Sequence, residues 1–78
     1  MTTFRELMTV IHADRIILNH MNKSGTTYIC NTFLADEFTR LLADYGDIEV
    51  GRVNFRTSYG NWPEIFLVPT KLGECVHD

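Results

Sequence analysis

The sequence is poor in cysteine, and its two cysteines do not have the spacing of a metal site. Cys30 and Cys75 are separated by most of the chain and belong to no CxxC motif or Cys/His pattern. The histidines, His12, His20 and His77, also lack a second ligand at a typical spacing. We therefore predict no metal and no cofactor, and we interpret Cys30, within an apolar strand pattern, as a small buried hydrophobic residue.

Long hydrophobic runs are missing as well. No apolar stretch approaches the roughly 18 residues that span a bilayer, and the initial MTTFRELM has no apolar block typical of a signal peptide. This predicts neither a membrane helix nor a secretion signal, and we expect a protein of the reducing cytoplasm.

Basic residues are fewer than acidic ones. Seven Lys and Arg against ten Asp and Glu give a formal charge of −3. A domain that binds nucleic acid through phosphates usually carries a basic excess, so the balance argues against that class. Arg52 and Arg56, four residues apart near a strand end, are the best candidates for a local basic patch, although we interpret them as solvent-facing strand residues.

Catalytic motifs are lacking too. Ser24 and Ser58 are both in turn contexts, and neither lies in a GxSxG sequence. The glycines are too scattered to form a phosphate-binding loop, and nothing near the carboxylates suggests the burial that shifts a catalytic pKa. We predict that the protein is not an enzyme.

The composition that remains is that of a folded protein. Hydrophobic residues make up 45% and aromatic residues 12% of the 78 residues, which is enough for one modest core. We predict a single globular domain over residues 1–78, with a tail at 71–78 that frays because it has no periodicity.

Residues 34–45, LADEFTRLLADY, have the clearest helical period. Their apolar side chains recur on one side and form a stripe that needs a packing surface: Leu34, Phe38, Leu41, Leu42 and Tyr45. Acidic residues in the first turn suit the helix dipole, and Gly46 is predicted to end the helix in a left-handed conformation. This helix is the organising element of the predicted fold.

A second helix is predicted near the start of the chain. Thr3 and Glu6 have the spacing of a capping box, and apolar residues then recur at helical intervals, which predicts a helix over residues 4 to about 12. The β-branched run Thr9, Val10 and Ile11 favours an alternative in which residues 8–13 form a strand.

Two hairpins account for most other residues. Residues 15–33 read as strand, turn and strand, with Gly25 at positive φ. In the first strand, Ile16, Leu18 and His20 share one face, and in the second strand Tyr28 and Cys30 share one face. In residues 47–55 the apolar alternation changes phase at Gly51, which predicts a β-bulge there that returns the apolar residues to one face: Ile48, Val50, Val53 and Phe55. The apolar run at 65–68 completes the second hairpin.

These elements predict an α+β fold. The order αββαββ, with short connections, favours four mainly antiparallel strands and helices on one face of the sheet, in a small two-layer sandwich. The order of the strands in the sheet is not predicted.

Two surfaces are candidates for binding. The loop with Tyr59 and Trp62 places aromatic residues in a turn, and exposed aromatic residues are common anchors in protein interfaces. The alternative is that Trp62 folds back onto the core. The second candidate is a group of acidic residues on and after the organising helix, which could also be an ordinary solvated face: Glu37, Asp44, Asp47 and Glu49.

Two classes of function remain. The first is a non-catalytic module that binds a larger protein, and a homodimer is also compatible with it. Its size is typical of phage and mobile-element accessory proteins that inhibit host defence systems, such as CRISPR–Cas complexes or restriction enzymes. The alternative is a nucleic-acid-associated or regulatory domain that uses the sheet face, with Arg52, Arg56 and Tyr59 as contacts. The net charge favours the first class.

Overall fold

A computed structural model describes residues 2–22, 24–55 and 62–70. The elements in chain order are α1 (Phe4–Met8), β1 (Arg15–Met21), β2 (Tyr28–Leu34), a 3₁₀ turn (Ala35–Glu37), α2 (Phe38–Tyr45), β3 (Val50–Asn54) and β4 (Glu64–Leu67). The predicted α+β class and the order αββαββ are confirmed. The predicted tail at 71–78 lies outside the described residues.

The four strands form one mixed sheet in the order β2-β1-β4-β3. Both hairpin pairings, β1 with β2 and β3 with β4, are antiparallel, whereas the central strands β1 and β4 run parallel. The sheet is thus mainly antiparallel, as predicted. The parallel contact at its centre joins the two hairpins.

The hydrophobic core lies between the two helices and one face of the sheet. It contains residues from both helices and from β1 and β4, namely Phe4, Ile16, Leu18, Leu41, Tyr45, Ile48, Ile65 and Leu67. Phe4 of α1 and Leu41 and Tyr45 of α2 belong to the same cluster, so the helices share one face. This is the two-layer arrangement that the hydrophobic pattern predicts.

Helix α1 begins as predicted but is shorter. The Thr3 hydroxyl accepts a hydrogen bond from the Glu6 N–H (3.2 Å), and the Glu6 carboxylate accepts one from the Thr3 N–H (2.9 Å), which confirms the capping box. The helix ends at Met8, where the Thr9 hydroxyl donates to the Glu6 carbonyl (2.7 Å). The predicted helix to residue 12 is wrong, because β-branched residues follow Met8 and the first of them, Thr9, competes for the Glu6 carbonyl. The alternative strand at 8–13 is wrong as well, since Met8 is helical and residues 9–13 form no strand.

The organising helix starts later than its apolar stripe suggests. Leu34 ends β2 and is 45% exposed, so it does not belong to the stripe. Its N–H donates to the Glu37 carboxylate (3.1 Å), which ties the strand end to the following turn. Leu41 and Tyr45 are buried, and Phe38 and Leu42 pack against the core as predicted.

Gly46 ends α2 for a reason other than the predicted one. Its φ of −58° is right-handed, so no left-handed terminator is present. A methyl group at this position would instead collide with the Leu42 carbonyl and the Arg5 guanidinium. Glycine is needed here because the neighbouring atoms leave no room for a side chain. The positive φ predicted for Gly25 is confirmed at 74°.

The bulge predicted at Gly51 is confirmed. The register between β3 and β4 shifts between Val50 and Arg52, so that Val50 lies opposite Leu67 and Val53 opposite Ile65, both on the core face. Phe55, which was expected on the same face, follows the strand end and is 58% exposed. Gly51 does not have a positive φ, and a methyl group there would make only ordinary contacts.

Candidate functional site

The face of the sheet opposite the helices is the main candidate for a binding surface. We call it the open face, because no helix among residues 2–22, 24–55 and 62–70 packs on it. Side chains alternate along each strand, and the cross-strand registers place these residues on it: Arg15, Ile17, Asn19, Met21, Tyr28, Cys30, Thr32, Leu34, Arg52, Asn54, Glu64 and Phe66.

Aromatic and guanidinium groups are paired along this face. The guanidinium carbon of Arg52 lies 4.2 Å from the centre of the Phe66 ring, and that of Arg15 lies 4.4 Å from the centre of the Trp62 ring. Each pair stacks a flat cation on an aromatic ring, which restrains both side chains. The open face therefore presents ordered groups that combine an apolar body with a polar or charged edge.

Tyr28 crosses the open face and holds several strands together. Its hydroxyl oxygen lies 3.0 Å from the Asn19 carbonyl oxygen and 2.8 Å from the Leu67 carbonyl oxygen, so its single proton is shared between two acceptors, although 40% of the residue remains exposed. Burial raises the pKa of Tyr28 above its ordinary value of 10.0, while the charge of Arg52 acts in the opposite direction. The phenol therefore stays protonated, as its role as a donor requires.

Cys30 lies on the open face and is exposed. The prediction that it is buried is wrong, because β2 is an edge strand and the side chain points away from the helices. Burial of the thiol and the nearby charge of Glu64 raise the pKa of Cys30 above 9.0. A raised pKa lowers the thiolate fraction at neutral pH, which disfavours a nucleophilic role.

The loop predicted to bind a partner is described only at its end. Trp62 is half-buried beneath Arg15, between the two predicted alternatives of full exposure and burial in the core. Tyr59 and Arg56 lie outside the described residues. Arg52 is exposed on the open face, so it remains available for the alternative nucleic-acid role as well as for protein contact.

Two of the four predicted acidic residues have cationic neighbours. The Glu37 carboxylate accepts a hydrogen bond from the Arg40 guanidinium (3.2 Å), and Asp47 forms an exposed ion pair with Arg5 (3.6 Å). Such pairs contribute little to stability, but they offset the negative charge locally. Glu37 also caps the turn before α2, so its position has a structural explanation.

The remaining acidic residues lie in different places. Glu49 is half-buried beside the N-terminal segment, where it forms an isolated bridge with Thr3 and its carbonyl accepts the Val68 N–H (2.8 Å). Asp44 lines a pocket on the helix side of β2. The structure thus distributes the four carboxylates over both ends of α2 and the β3 region.

That pocket, which we call the α2–β2 pocket, has a volume of about 390 Å³. It lies between helix and edge strand and has a mixed lining: His20, Asn22, Ile29, Asn31, Phe33, Arg40, Leu41, Asp44 and Tyr45. The two charged residues have opposite signs, and the apolar residues come from both walls. Its position leaves one side of the strand β2 incompletely covered.

His20 is the most buried polar residue in this region, with 3% exposure. Its Nδ1 lies 2.7 Å from the Met21 carbonyl, an arrangement that places a proton on Nδ1, and its ring contacts Tyr45 with 4.4 Å between centres. Its Nε2 has no partner among the described residues. The sequence placed His20 on one face of β1 with Ile16 and Leu18, and the structure shows that this face packs against the helices.

No cluster of three or more metal-binding side chains occurs among the residues that the structure describes. Within the same part of the chain, no helix is long and apolar enough to cross a membrane. A comparison with known proteins finds no matching family model, no matching curated protein and no matching solved structure. Functional inference therefore rests on the geometry of the chain itself.

Sequence reasoning missed Arg15, Tyr28 and Phe66 as members of a surface. The alternation in β1 and β2 sorted residues correctly into two faces, and it put Tyr28 and Cys30 together. It did not show which face the helices cover. The strand order, which brings Phe66 beside Asn19 and Arg52, was also needed to assemble the open face.

Proposed function

We propose that this protein is a non-catalytic binding module that contacts a larger protein through the open face of its sheet. The observation that supports the proposal is the pairing of Arg15 with Trp62 toward one end of the open face and of Arg52 with Phe66, near Tyr28, toward the other. Tyr, Trp, Phe and Arg are the residues enriched in protein interfaces, and ordered side chains lose little entropy on binding.

The specific hypothesis within this class is an accessory protein of a phage or mobile element that inhibits a host defence complex, such as a CRISPR–Cas complex or a restriction enzyme. Its support is the small size, the acidic composition and the lack of a recognisable catalytic motif. Expression in bacteria that carry an active defence system should raise the plating efficiency of a targeted phage. Unchanged plating across a panel of such systems would contradict this hypothesis.

The binding surface can be located with a photo-cross-linking residue. We expect a cross-linker at Arg52, on the open face, to give one defined adduct with the partner protein. The same group at Thr39, exposed on α2, should give none. An adduct formed only from Thr39 would place the contact on the helix side and overturn the proposed surface.

Trp62 provides the quantitative test once the partner is purified. Trp62→Ala should weaken binding about 30-fold, equivalent to about 2 kcal/mol, mainly through faster dissociation. Replacing both Glu37 and Asp44 with Lys should instead slow association, with a loss that shrinks at high salt. Thermal melts of each variant show whether the fold is retained.

Nucleic-acid binding is the second candidate, favoured by the same rings and cations on an uncovered sheet. Aromatic rings on a sheet can stack on bases, and Arg can contact phosphates. The charge of −3 opposes it, so we expect no retention of mixed-sequence DNA or RNA in a gel-shift assay at physiological salt. Salt-sensitive binding that disappears in an Arg52→Ala, Arg56→Ala variant would establish this function in place of the first.

A further inference from the structure

The two edge strands of the sheet differ in how they are protected. β3 has five residues and a bulge, and its Val50 N–H donates to the Thr2 carbonyl (2.7 Å). β2 has seven residues in unbroken register with β1, and its sequence YICNTFL contains no proline and no charge. Within the described ranges, no strand pairs with its outer side. Edges of monomeric sheets usually carry bulges, prolines or charges that prevent further pairing.

The backbone groups that point outward from β2 can be identified. At the two ends of the hairpin, the Ala35 N–H donates to the Asp14 carbonyl (2.9 Å) and the Asn22 N–H to the Thr27 carbonyl (2.8 Å). Because backbone direction alternates along a strand, odd-numbered residues of β2 face β1 and even-numbered residues face outward. The outward groups therefore belong to Tyr28, Cys30 and Thr32, together with Leu34, whose N–H is already bound by Glu37.

The side chains of β2 are arranged symmetrically about Asn31. In an antiparallel pair of two β2 strands centred on this residue, Ile29 lies opposite Phe33 of the second copy, and Tyr28 lies opposite Leu34. Cys30 then faces Thr32 of the second copy. The outward backbone groups of the even-numbered residues meet in hydrogen-bonded positions, so the backbone and the side chains favour the same register.

We propose that two copies of this chain associate through antiparallel pairing of their β2 strands about a two-fold axis at Asn31, which gives one continuous sheet. A two-fold interface requires a surface that is complementary to itself, and β2 meets this requirement in size, polarity and charge. The inference does not depend on the identity of the partner protein proposed above.

The α2–β2 pocket supports a second copy as the occupant. Ile29, Asn31 and Phe33 line the pocket from β2, and the same residues lie on the helix side of the proposed seam. A second β2 strand covers this incompletely covered side with its own Phe33 and Ile29. The charged residues of the pocket, Arg40 and Asp44, have opposite signs, so their charges cancel and the pocket has no large charge of one sign to repel a second copy.

The first test measures association by analytical ultracentrifugation in reducing buffer. The wild-type protein should pass from monomer to dimer as its concentration rises. Replacing both Cys30 and Thr32 with Lys puts like charges opposite each other in the proposed register and should weaken association at least about tenfold. A Cys30→Lys, Thr32→Glu variant changes the same positions but puts opposite charges face to face, and it should still dimerise.

The second test fixes the register by disulfide formation. In a chain with Cys30→Ser and Cys75→Ser, an Asn31→Cys substitution puts two thiols at one non-hydrogen-bonded position, with Cα atoms about 4.5 Å apart, within the range for a disulfide. Mild oxidation should therefore give a covalent dimer. Thr39→Cys, exposed on α2 in the same background, is the control and should react far more slowly.

Some outcomes would overturn the proposal. A wild-type protein that remains monomeric up to about 0.5 mM, well above micromolar dissociation constants, would exclude the dimer. Equal association of the two charge variants, with both melting cooperatively, would exclude the register. Cross-linking at Thr39→Cys as fast as at Asn31→Cys would show that collisions, and not a two-fold interface, produce the disulfide.

Discussion

The two faces of the sheet use the same strands for different purposes. Along β1, Ile16 and Leu18 are completely buried against the helices, while Ile17 and Asn19 point to the open face and are nearly as buried. Along β2, by contrast, the open-face residues are all exposed. The central strands therefore stabilise the fold through both faces, whereas the open-face side chains of the edge strand β2 do not pack in the core.

This difference separates stability from binding. Core residues on the helix face fill a closed space, so a change in their volume alters the free energy of unfolding. On the open face of the edge strands, Tyr28 is held by hydrogen bonding and Arg52 by stacking, and both residues remain exposed. Variants at the exposed open-face positions of the edge strands should therefore affect association more than stability, and variants on the helix face the reverse.

The largest expected effect sharpens this contrast with one substitution at two positions. Leu18→Ala should lower the free energy of unfolding by about 3 kcal/mol, because it leaves a cavity beside Ile65 and the helices. Leu34→Ala, on the open face and 45% exposed, should cost less than about 1 kcal/mol. Urea denaturation at low protein concentration measures both. Similar losses would show that the open face is covered as closely as the helix face.

A smaller effect is expected from substitutions at two glycines, one at the end of α2 and the other on the exposed strand β3. Gly46→Ala should destabilise the fold by about 2 kcal/mol, because the added methyl group meets the Leu42 carbonyl. Gly51→Ala should be nearly neutral, since the nearest atom to its Cβ is the Phe66 carbonyl oxygen at 3.4 Å. Thermal melts of the pair decide the matter. A large loss at Gly51 would show instead that the bulge requires a backbone conformation that alanine does not adopt.

The smallest effect concerns the open face alone. Tyr28→Phe removes the hydroxyl that reaches the Asn19 and Leu67 carbonyls and should cost about 1 kcal/mol. Because the pKa of Tyr28 is raised in the folded state, its contribution is complete below pH 10.0 and is lost as the pH rises further.

Unfolding measured between pH 9 and about 12 checks this sign. The wild-type protein should lose stability above pH 10, and Tyr28→Phe should show a shallower loss. Tyr45, whose pKa burial also raises, accounts for part of the remaining slope. Identical slopes in the two proteins would mean that the fold does not raise the pKa of Tyr28.

The sequence predicted those parts of the fold that depend on local patterns. The capping box at Thr3, the positive φ of Gly25 and the bulge at Gly51 each follow from a few neighbouring residues, and all three are present. The end of α1 was missed because the Thr9 hydroxyl competes for a helix carbonyl, a contact that apolar periodicity does not show. Gly46 was misassigned because its φ is right-handed and the atoms that exclude a side chain there are the Leu42 carbonyl and the guanidinium of the distant Arg5, neither of which the local sequence pattern shows.

The binding surface was harder to predict because it depends on strand order. The faces of β1 and β2 were assigned correctly, but the exposure of Cys30 depends on β2 being at the edge. The pairing of Arg52 with Phe66 likewise requires the second hairpin to pack in its observed register. Trp62 was recognised from its residue type alone, while its contact with Arg15 joins residues far apart in sequence.

The position of β4 has a consequence for how the chain is made. This strand lies between β1 and β3, yet it is the last of the four to leave the ribosome. Until residues 64–67 emerge, β3 has no neighbouring strand in the sheet. One side of β1 is then an unpaired edge next to the apolar residues Ile16 and Leu18. A nascent chain can form the first hairpin early, but the sheet closes in a late step across a long sequence separation. Stalled or truncated products are therefore the species in which an apolar edge is available for aggregation.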